Sequence, residues 1–238
     1  MPLPRTLEPE VMDTPREASD YDAMDHTEVN ARFCSDLLAL RPPGRVLDVG
    51  TGTALIPIEL CRRAPGMEVH AIDMASSMLA IARRNVAGAE LGAHIHIESG
   101  DAKAMRWEDR AFDTVISNSL IHHMPDPGRV LREMFRLVRP GGVLFVRDLV
   151  RPESVVHVRQ LVETYAPIQD FADAAVHAMH VRQRALFEAS LHAALTLDEV
   201  VAVAAALGIR SEAVRLTSDR HWTLLGRALR RSGVQEGT

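Results

Sequence analysis

Aromatic residues are scarce in this chain, at 4%, which leaves little material for the stacking platform that single-stranded nucleic acid requires. Cysteine is nearly absent. Cys34 and Cys61 stand alone, without a CxxC pair or metal spacing, so no disulfide framework is expected and both read as buried apolar side chains in a reducing compartment. Lysine is represented by Lys103 alone, and the remaining basic charge is arginine. The net charge of −5 arises from both signs interspersed, with no basic face of the kind that neutralises phosphates. The arginines of the last quarter (Arg210, Arg215, Arg220, Arg227, Arg230 and Arg231) are spaced as solvated faces. No apolar run approaches a membrane span, and no apolar stretch follows a basic start. Neither a bilayer anchor nor a secretory leader is therefore expected, and the protein reads as cytoplasmic.

What is present is the balance of an ordinary globular protein, 47% hydrophobic and 25% charged over 238 residues, enough for one sizeable core. Pro2, Pro4, Pro9 and Pro15 suppress helix, so residues 1–20 are expected to be extended or poorly ordered. Thr27 to Leu40 reads as a helix capped by Thr27 and ended by Arg41-Pro42-Pro43-Gly44. An alternation then sets the fold class. Strands are expected at 45–49, 68–72, 94–97, 112–117 and 143–146. Helices fall between them at 54–63, 76–85 and 127–138, and Arg139-Pro140-Gly141-Gly142 is read as the turn before the fifth strand. Such alternation implies a parallel sheet with helices on both faces. Residues 152–193 read as helical with a break near Pro167, and 196–207 as a helix capped by Thr196. Two strands near 213–216 and 222–225 form an antiparallel hairpin.

The informative segment is Val46-Leu47-Asp48-Val49-Gly50-Thr51-Gly52-Thr53-Ala54. Gly50 and Gly52 leave a strand and enter a helix, where backbone turns tightly and approaches a ligand. Leu55 stands where a dinucleotide fingerprint has its third glycine, which disfavours a nicotinamide or flavin. Asp48, at the carboxyl end of the strand, suits a cationic ligand better than a pyrophosphate. Asp73 ends the second strand, where an acid accepts ribose hydroxyls.

These residues, with Ser76-Ser77-Met78-Leu79, Ser99-Gly100-Asp101-Ala102, Phe112 to Asn118 and Leu137 to Gly142, resemble the class I S-adenosylmethionine-dependent methyltransferases. The likeness is to the small-molecule branch that includes the ubiquinone-biosynthesis type. It covers residues 45–150, and Ala54 replaces the last glycine of the family's first motif. The resemblance implies a Rossmann-like α/β fold with a seven-stranded sheet, mostly parallel with an antiparallel last strand. It implies S-adenosylmethionine as cofactor, bound by Asp48, Gly50, Thr51, Gly52, Asp73, Met74, Gly100, Asp101, Ala102 and Asn118. Residues 1–44 would be an N-terminal segment and cap helix, and 45–238 the methyltransferase domain with a helical, substrate-covering insertion at 151–194.

Ligands of open α/β sheets bind beyond the carboxyl ends of the strands, so the acceptor is expected near Asn118 to Met124 and Arg147-Asp148. His122 and His123 are candidates for a general base, or else they fix the loop beside the cofactor. Tyr21 is a candidate lid whose ring faces the sulfonium, or else a packing residue. Arg147, Tyr165, His180 and Arg184 are the candidate acceptor contacts, and no metal is assigned. The expected partner is a small-molecule acceptor, with no nucleic acid and no membrane. The insertion is a candidate homodimer face. The rival readings are an RNA or protein methyltransferase and a non-catalytic module that binds the cofactor.

Overall fold

The computed structural model describes residues 3–11, 13–40, 44–169 and 171–228. The expected helix stop at Arg41-Pro42-Pro43, and Arg230 and Arg231, lie outside the described residues. Seven strands form one sheet in the order β3-β2-β1-β4-β5-β7-β6. They are β1 (Arg45–Val49), β2 (Glu68–Asp73), β3 (Ile95–Ser99), β4 (Phe112–Asn118), β5 (Val138–Leu149), β6 (Val214–Leu216) and β7 (His221–Arg227). The β1–β2, β1–β4, β2–β3 and β4–β5 pairs are parallel, while β7 runs antiparallel to β5 and to β6. Strand order reverses between β1 and β4, which is where open α/β sheets leave a crevice.

The helices are α1 (Pro15–Asp22), α2 (Thr27–Ala39), α3 (Leu55–Arg63), α4 (Ser76–Gly88), α5 (Pro127–Leu137), α6 (Val155–Tyr165), α7 (Ala174–Ala193) and α8 (Leu197–Ala206). Period-two side-chain alternation explains how both faces are covered. Val46, Val143 and Phe145 pack with Phe33, Leu37 and Leu60 from α2 and α3. Their neighbours Leu47, Leu144 and Val146 pack with Val130, Leu131, Met134 and Val200 from α5 and α8. Truncating a fully buried leucine such as Leu131 to alanine costs about 2–5 kcal/mol in such a core. A smaller cluster joins Val158, Leu161 and Val162 of α6 to Leu191 of α7 and Leu149 of β5. It seats α6 and α7 above the carboxyl end of the sheet.

Three local expectations are corrected. Residues 15–22 are helical, because Pro15 occupies the first turn, where its missing N–H is not needed, and Thr14 and Glu17 form a reciprocal capping box. Thr27 is not a cap. It is the first residue of α2, and its N–H is satisfied by Asp25 Oδ1 at 3.0 Å. Arg139 to Gly142 is not a turn before β5 but an irregular stretch inside it. Val138 pairs with Phe112, and the register shifts before Val143 meets Thr114. Glycine is required there, since a Cβ on Gly142 would lie 2.5 Å from the Asp113 carbonyl oxygen.

Candidate cofactor and acceptor site

The turn after β1 is held by backbone. The N–H groups of Gly50 and Thr51 both donate to the Ile72 carbonyl at 2.9 Å, and Gly52 N–H donates to Asp73 Oδ2 at 2.9 Å. Gly50 sits at φ 74° with Leu120 against it, so that a Cβ would come within 2.8 Å of the leucine. A cleft of about 100 Å³ opens beside this turn, lined by Gly50, Gly52, Asp73, Met74, Gly100, Asp101, Ala102 and Asn118. Eight of the ten expected cofactor residues meet there. Asp48 and Thr51 do not line that cleft. They line an adjoining cavity of about 20 Å³ shared with Gly50, Tyr21, His26 and Asn118.

Electrostatics distinguish the acids. Burial pushes the Asp48 carboxyl up to about 7, with Asp73 nearby adding to the rise. Burial also raises Asp73, against the opposing bonds from the Ala75 and Gly52 N–H groups. Asp101 is tied by the Lys103 N–H at 2.8 Å, and the Lys103 ammonium lies 3.4 Å from its carboxylate.

A second cleft of about 510 Å³ lies under α6 and α7. Tyr21, Asn118, Ser119 and His123 line both clefts. His122 is buried, its Nδ1 lies 2.6 Å from Asp148 Oδ1, and its own N–H donates to Asp148 Oδ2. Burial alone would pull the His122 imidazole down, but the Asp148 carboxylate outweighs it and holds it above its ordinary value. Asp148 is held low in return, its pairing with His122 overriding its own burial. His123 is pushed down to about 3 by burial and by its neighbour His122, and so is neutral. The Tyr21 phenol is pushed up to about 12 by burial and by the surrounding acids, and stays protonated.

The expected acceptor contacts divide. Tyr165, His180 and Arg184 line the second cleft, although Arg184 is already engaged by Glu163 and the Ala166 carbonyl. Arg147 is not in it. Successive residues of β5 face opposite ways, so Asp148 turns toward His122 while Arg147 turns away, to Asp36 at 2.6 Å and Thr223 at 2.9 Å. A second arginine lining the cleft is Arg220, stacked 3.2 Å over the Tyr165 ring with a buried Nη1 that lacks a partner among the described residues.

The methyltransferase-domain family matches residues 47–146, the segment from β1 to β5 that frames the first cleft. Over that segment the chain is similar to a methyltransferase domain. It is 38% identical over 117 residues to a demethylmenaquinone methyltransferase of Thermus thermophilus, covering 49% of this chain and 52% of that protein. It is 27% identical over 118 residues to the ubiquinone/menaquinone biosynthesis C-methyltransferase UbiE of Geotalea daltonii, covering 49% and 50%. The chain thus spans about half the length of the curated relatives it matches. Among solved structures, an S-adenosylmethionine-dependent methyltransferase of Aquifex aeolicus aligns with TM-score 0.61 at 16% identity, over 90% of this chain and 98% of that one. One from Methanococcus maripaludis, described as a putative S-adenosyl-L-methionine-dependent methyltransferase, aligns with TM-score 0.66 at 18% identity, over 96% and 100%. The chain therefore shares the fold of these structures along nearly its whole length.

The similarity to methyltransferases implies S-adenosylmethionine as cofactor, and the residues of the cleft fit that ligand. Asp48 is a buried acid whose charge a cationic ammonium would stabilise. Asp73 lines the cleft, and Asn118 offers a buried Oδ1 without a partner among the described residues. Sequence reasoning missed residues 3–11, which cross the methyltransferase domain as a strap. Arg5 donates to the carbonyls of Ala193, His122 and Met124 at 2.7–3.0 Å. Glu10 pairs with Lys103, and Val11 lines the cofactor cleft. The only early signal was Arg5, Glu8 and Glu10 set among prolines, a pattern with no periodicity to read. No helix among the described residues is long and apolar enough to cross a membrane.

Proposed function

We propose that this chain transfers a methyl group from S-adenosylmethionine to a small-molecule acceptor bound in the 510 Å³ cleft. The observation that carries this reading is the shared wall: Tyr21, Asn118, Ser119 and His123 border both the cofactor cleft and the acceptor cleft. A nucleophile in one can face a methyl carbon in the other. When bound, the cofactor supplies an activated methyl on a sulfonium. The chain's work is to orient the two reactants and exclude water.

In this reading Asp73 holds the ribose, Asp48 the amino-acid end, and Asp101 with Met74 the adenine. Tyr21 closes over the junction as a neutral ring whose face attracts the sulfonium. Asp148 fixes the ring of His122 through Nδ1, so that Nε2 is the atom left for the acceptor's proton. His123 is a neutral polar contact beside it. Tyr165, His180, Arg184 and Arg220 bind the far end of the acceptor, and the unpartnered Nη1 of Arg220 supports an acceptor with a carboxylate or similar anionic group.

The curated relatives are named for quinone methylation, but the family match spans 47–146. Much of the acceptor cleft is built outside it, from the α1–α2 turn, α6, α7 and β7. A quinone is therefore one class to test beside anionic metabolites. The chain's net negative charge supports a small molecule over RNA, and a cytoplasmic setting belongs to the same reading. Exposed Val155 and Val156 on α6 support a homodimer through the insertion. The test is turnover of labelled S-adenosylmethionine against panels of quinols, carboxylic acids and nucleic acids. Transfer to RNA but to no small molecule would sink the proposal.

A further inference from the structure

The N-terminal strap brings Glu8 against His122 and His123, of which both line the acceptor cleft and His123 the cofactor cleft as well. One carboxylate oxygen of Glu8 and one ring nitrogen of each histidine lie within 4.8 Å of one another. The Glu8 side chain is only 7% exposed. Its Oε1 has no hydrogen-bond partner among the described residues, and neither has the buried Nδ1 of His123. Buried polar atoms left unpaired cost about 1–3 kcal/mol each, so two in one cluster call for a third party. The other carboxylate oxygen, Glu8 Oε2, lies 3.6 Å from His123 Nδ1, too far for a hydrogen bond. That separation is close to the ~3.3 Å edge of a tetrahedron whose metal–nitrogen and metal–oxygen bonds are ~2.0–2.1 Å. His122 carries a further mark of a metal ligand. Its Nδ1 is held by Asp148 at 2.6 Å, the outer carboxylate that orients a ligating imidazole and leaves Nε2 for the ion.

We propose that Glu8, His122 and His123 bind a divalent transition-metal ion of the zinc or cobalt type, with Asp148 behind His122 and a fourth position open to the acceptor cleft. Two imidazoles and one carboxylate suit such ions and not magnesium or calcium, which prefer all-oxygen shells. The ion site stands on its own geometry and does not depend on methyl transfer. In the metal-loaded protein His122 is a ligand rather than a base. An acceptor hydroxyl or thiol at the open position would then release its proton to solvent on coordination.

A competing cluster lies at the sheet edge, where Glu68, His70 and His96 also come within 4.8 Å of one another. There the Arg45 guanidinium lies 3.2 Å from His70 Nε2 and occupies the ring nitrogen an ion would need, whereas Arg5 bonds the backbone carbonyl of His122 and not its ring. The experiment is titration of cobalt(II) into the metal-free full-length protein, read by visible ligand-field absorption, with thermal melts confirming that each variant is folded. Wild type and His96→Gln should both take up one equivalent, displaced by zinc(II). Glu8→Gln and His123→Gln should each weaken uptake by more than ~100-fold, and Asp148→Asn by ~10–100-fold. Absence of uptake by folded wild type would overturn the proposal. So would uptake that survives in both Glu8→Gln and His123→Gln, or that is abolished by His96→Gln.

Discussion

The two clefts are made of different material. The cofactor cleft is shaped mainly by backbone, with Gly50, Gly52 and Gly100 at strand ends and Asp73 pinned by two N–H groups. The acceptor cleft is shaped by side chains borne on α1, α2, α6, α7 and the end of β5, many of them titratable. A backbone cradle depends on strand ends and glycine positions, which recur in local order along the chain. A side-chain cleft depends on which helices happen to cover the sheet, and that is a tertiary fact. The family match stops at residue 146, near where the second kind of construction begins.

The comparison is sharpened by variants that should affect one cleft and spare the other. The largest effect is expected from Asp148→Asn, which loses the charge that fixes His122. Turnover should fall by ~10²–10⁴-fold while cofactor affinity, read by calorimetry, stays within twofold (a rough bound). Equal losses in both would mean that the clefts are not separable. Asp73→Ala should do the reverse, weakening cofactor binding by about 1–3 kcal/mol without altering the pH profile of turnover. Unchanged affinity would remove Asp73 from the ribose.

Acid stability offers a third comparison. Burial, with Arg220 adjoining, pushes His221 down to about 4 from an ordinary 6.5. The unfolded chain therefore takes up a proton before the folded one does, and stability declines as pH falls from about 6.5 toward 4. Urea melts across that range should show a shallower decline in His221→Gln, and an unchanged slope would mean the site is wetter than its burial suggests. His122 adds a term of opposite sign. Its raised value contributes stability that is complete below 6.5 and fades as pH climbs past its folded value.

The smallest effect concerns the cradle itself. Ala54 takes φ 64°, the left-handed region, with its side chain fully buried. Such a conformation costs a non-glycine residue about 1–2 kcal/mol, part of which glycine returns through its freer unfolded chain. Ala54→Gly should therefore raise stability by up to about 1 kcal/mol in denaturant melts. Destabilisation would show that the buried methyl packs better than its backbone is strained.

Much of the fold was legible because strand and helix periods alternate from Arg45 onward. Gly50, Asp73 and Asp101 could be brought to one cleft from the sequence because each lies at or just past the carboxyl end of a strand, whereas Asp48, one residue inside β1, faces the adjoining cavity. Arg147 was misplaced because chain position gives a residue's height on β5 but not its face. Arg5, Glu8 and Glu10 were missed because an extended strap has no period, and its partners are brought near only by folding. Arg220 was read as solvated, since nothing local announces that Tyr165 will stack on it.

The most direct test is calorimetric titration of S-adenosylhomocysteine into wild type, Asp73→Ala and His122→Ala. The account predicts binding to wild type, weakened at least ~10-fold by Asp73→Ala and unchanged by His122→Ala. Failure of the wild type to bind, or equal losses in both variants, would contradict it.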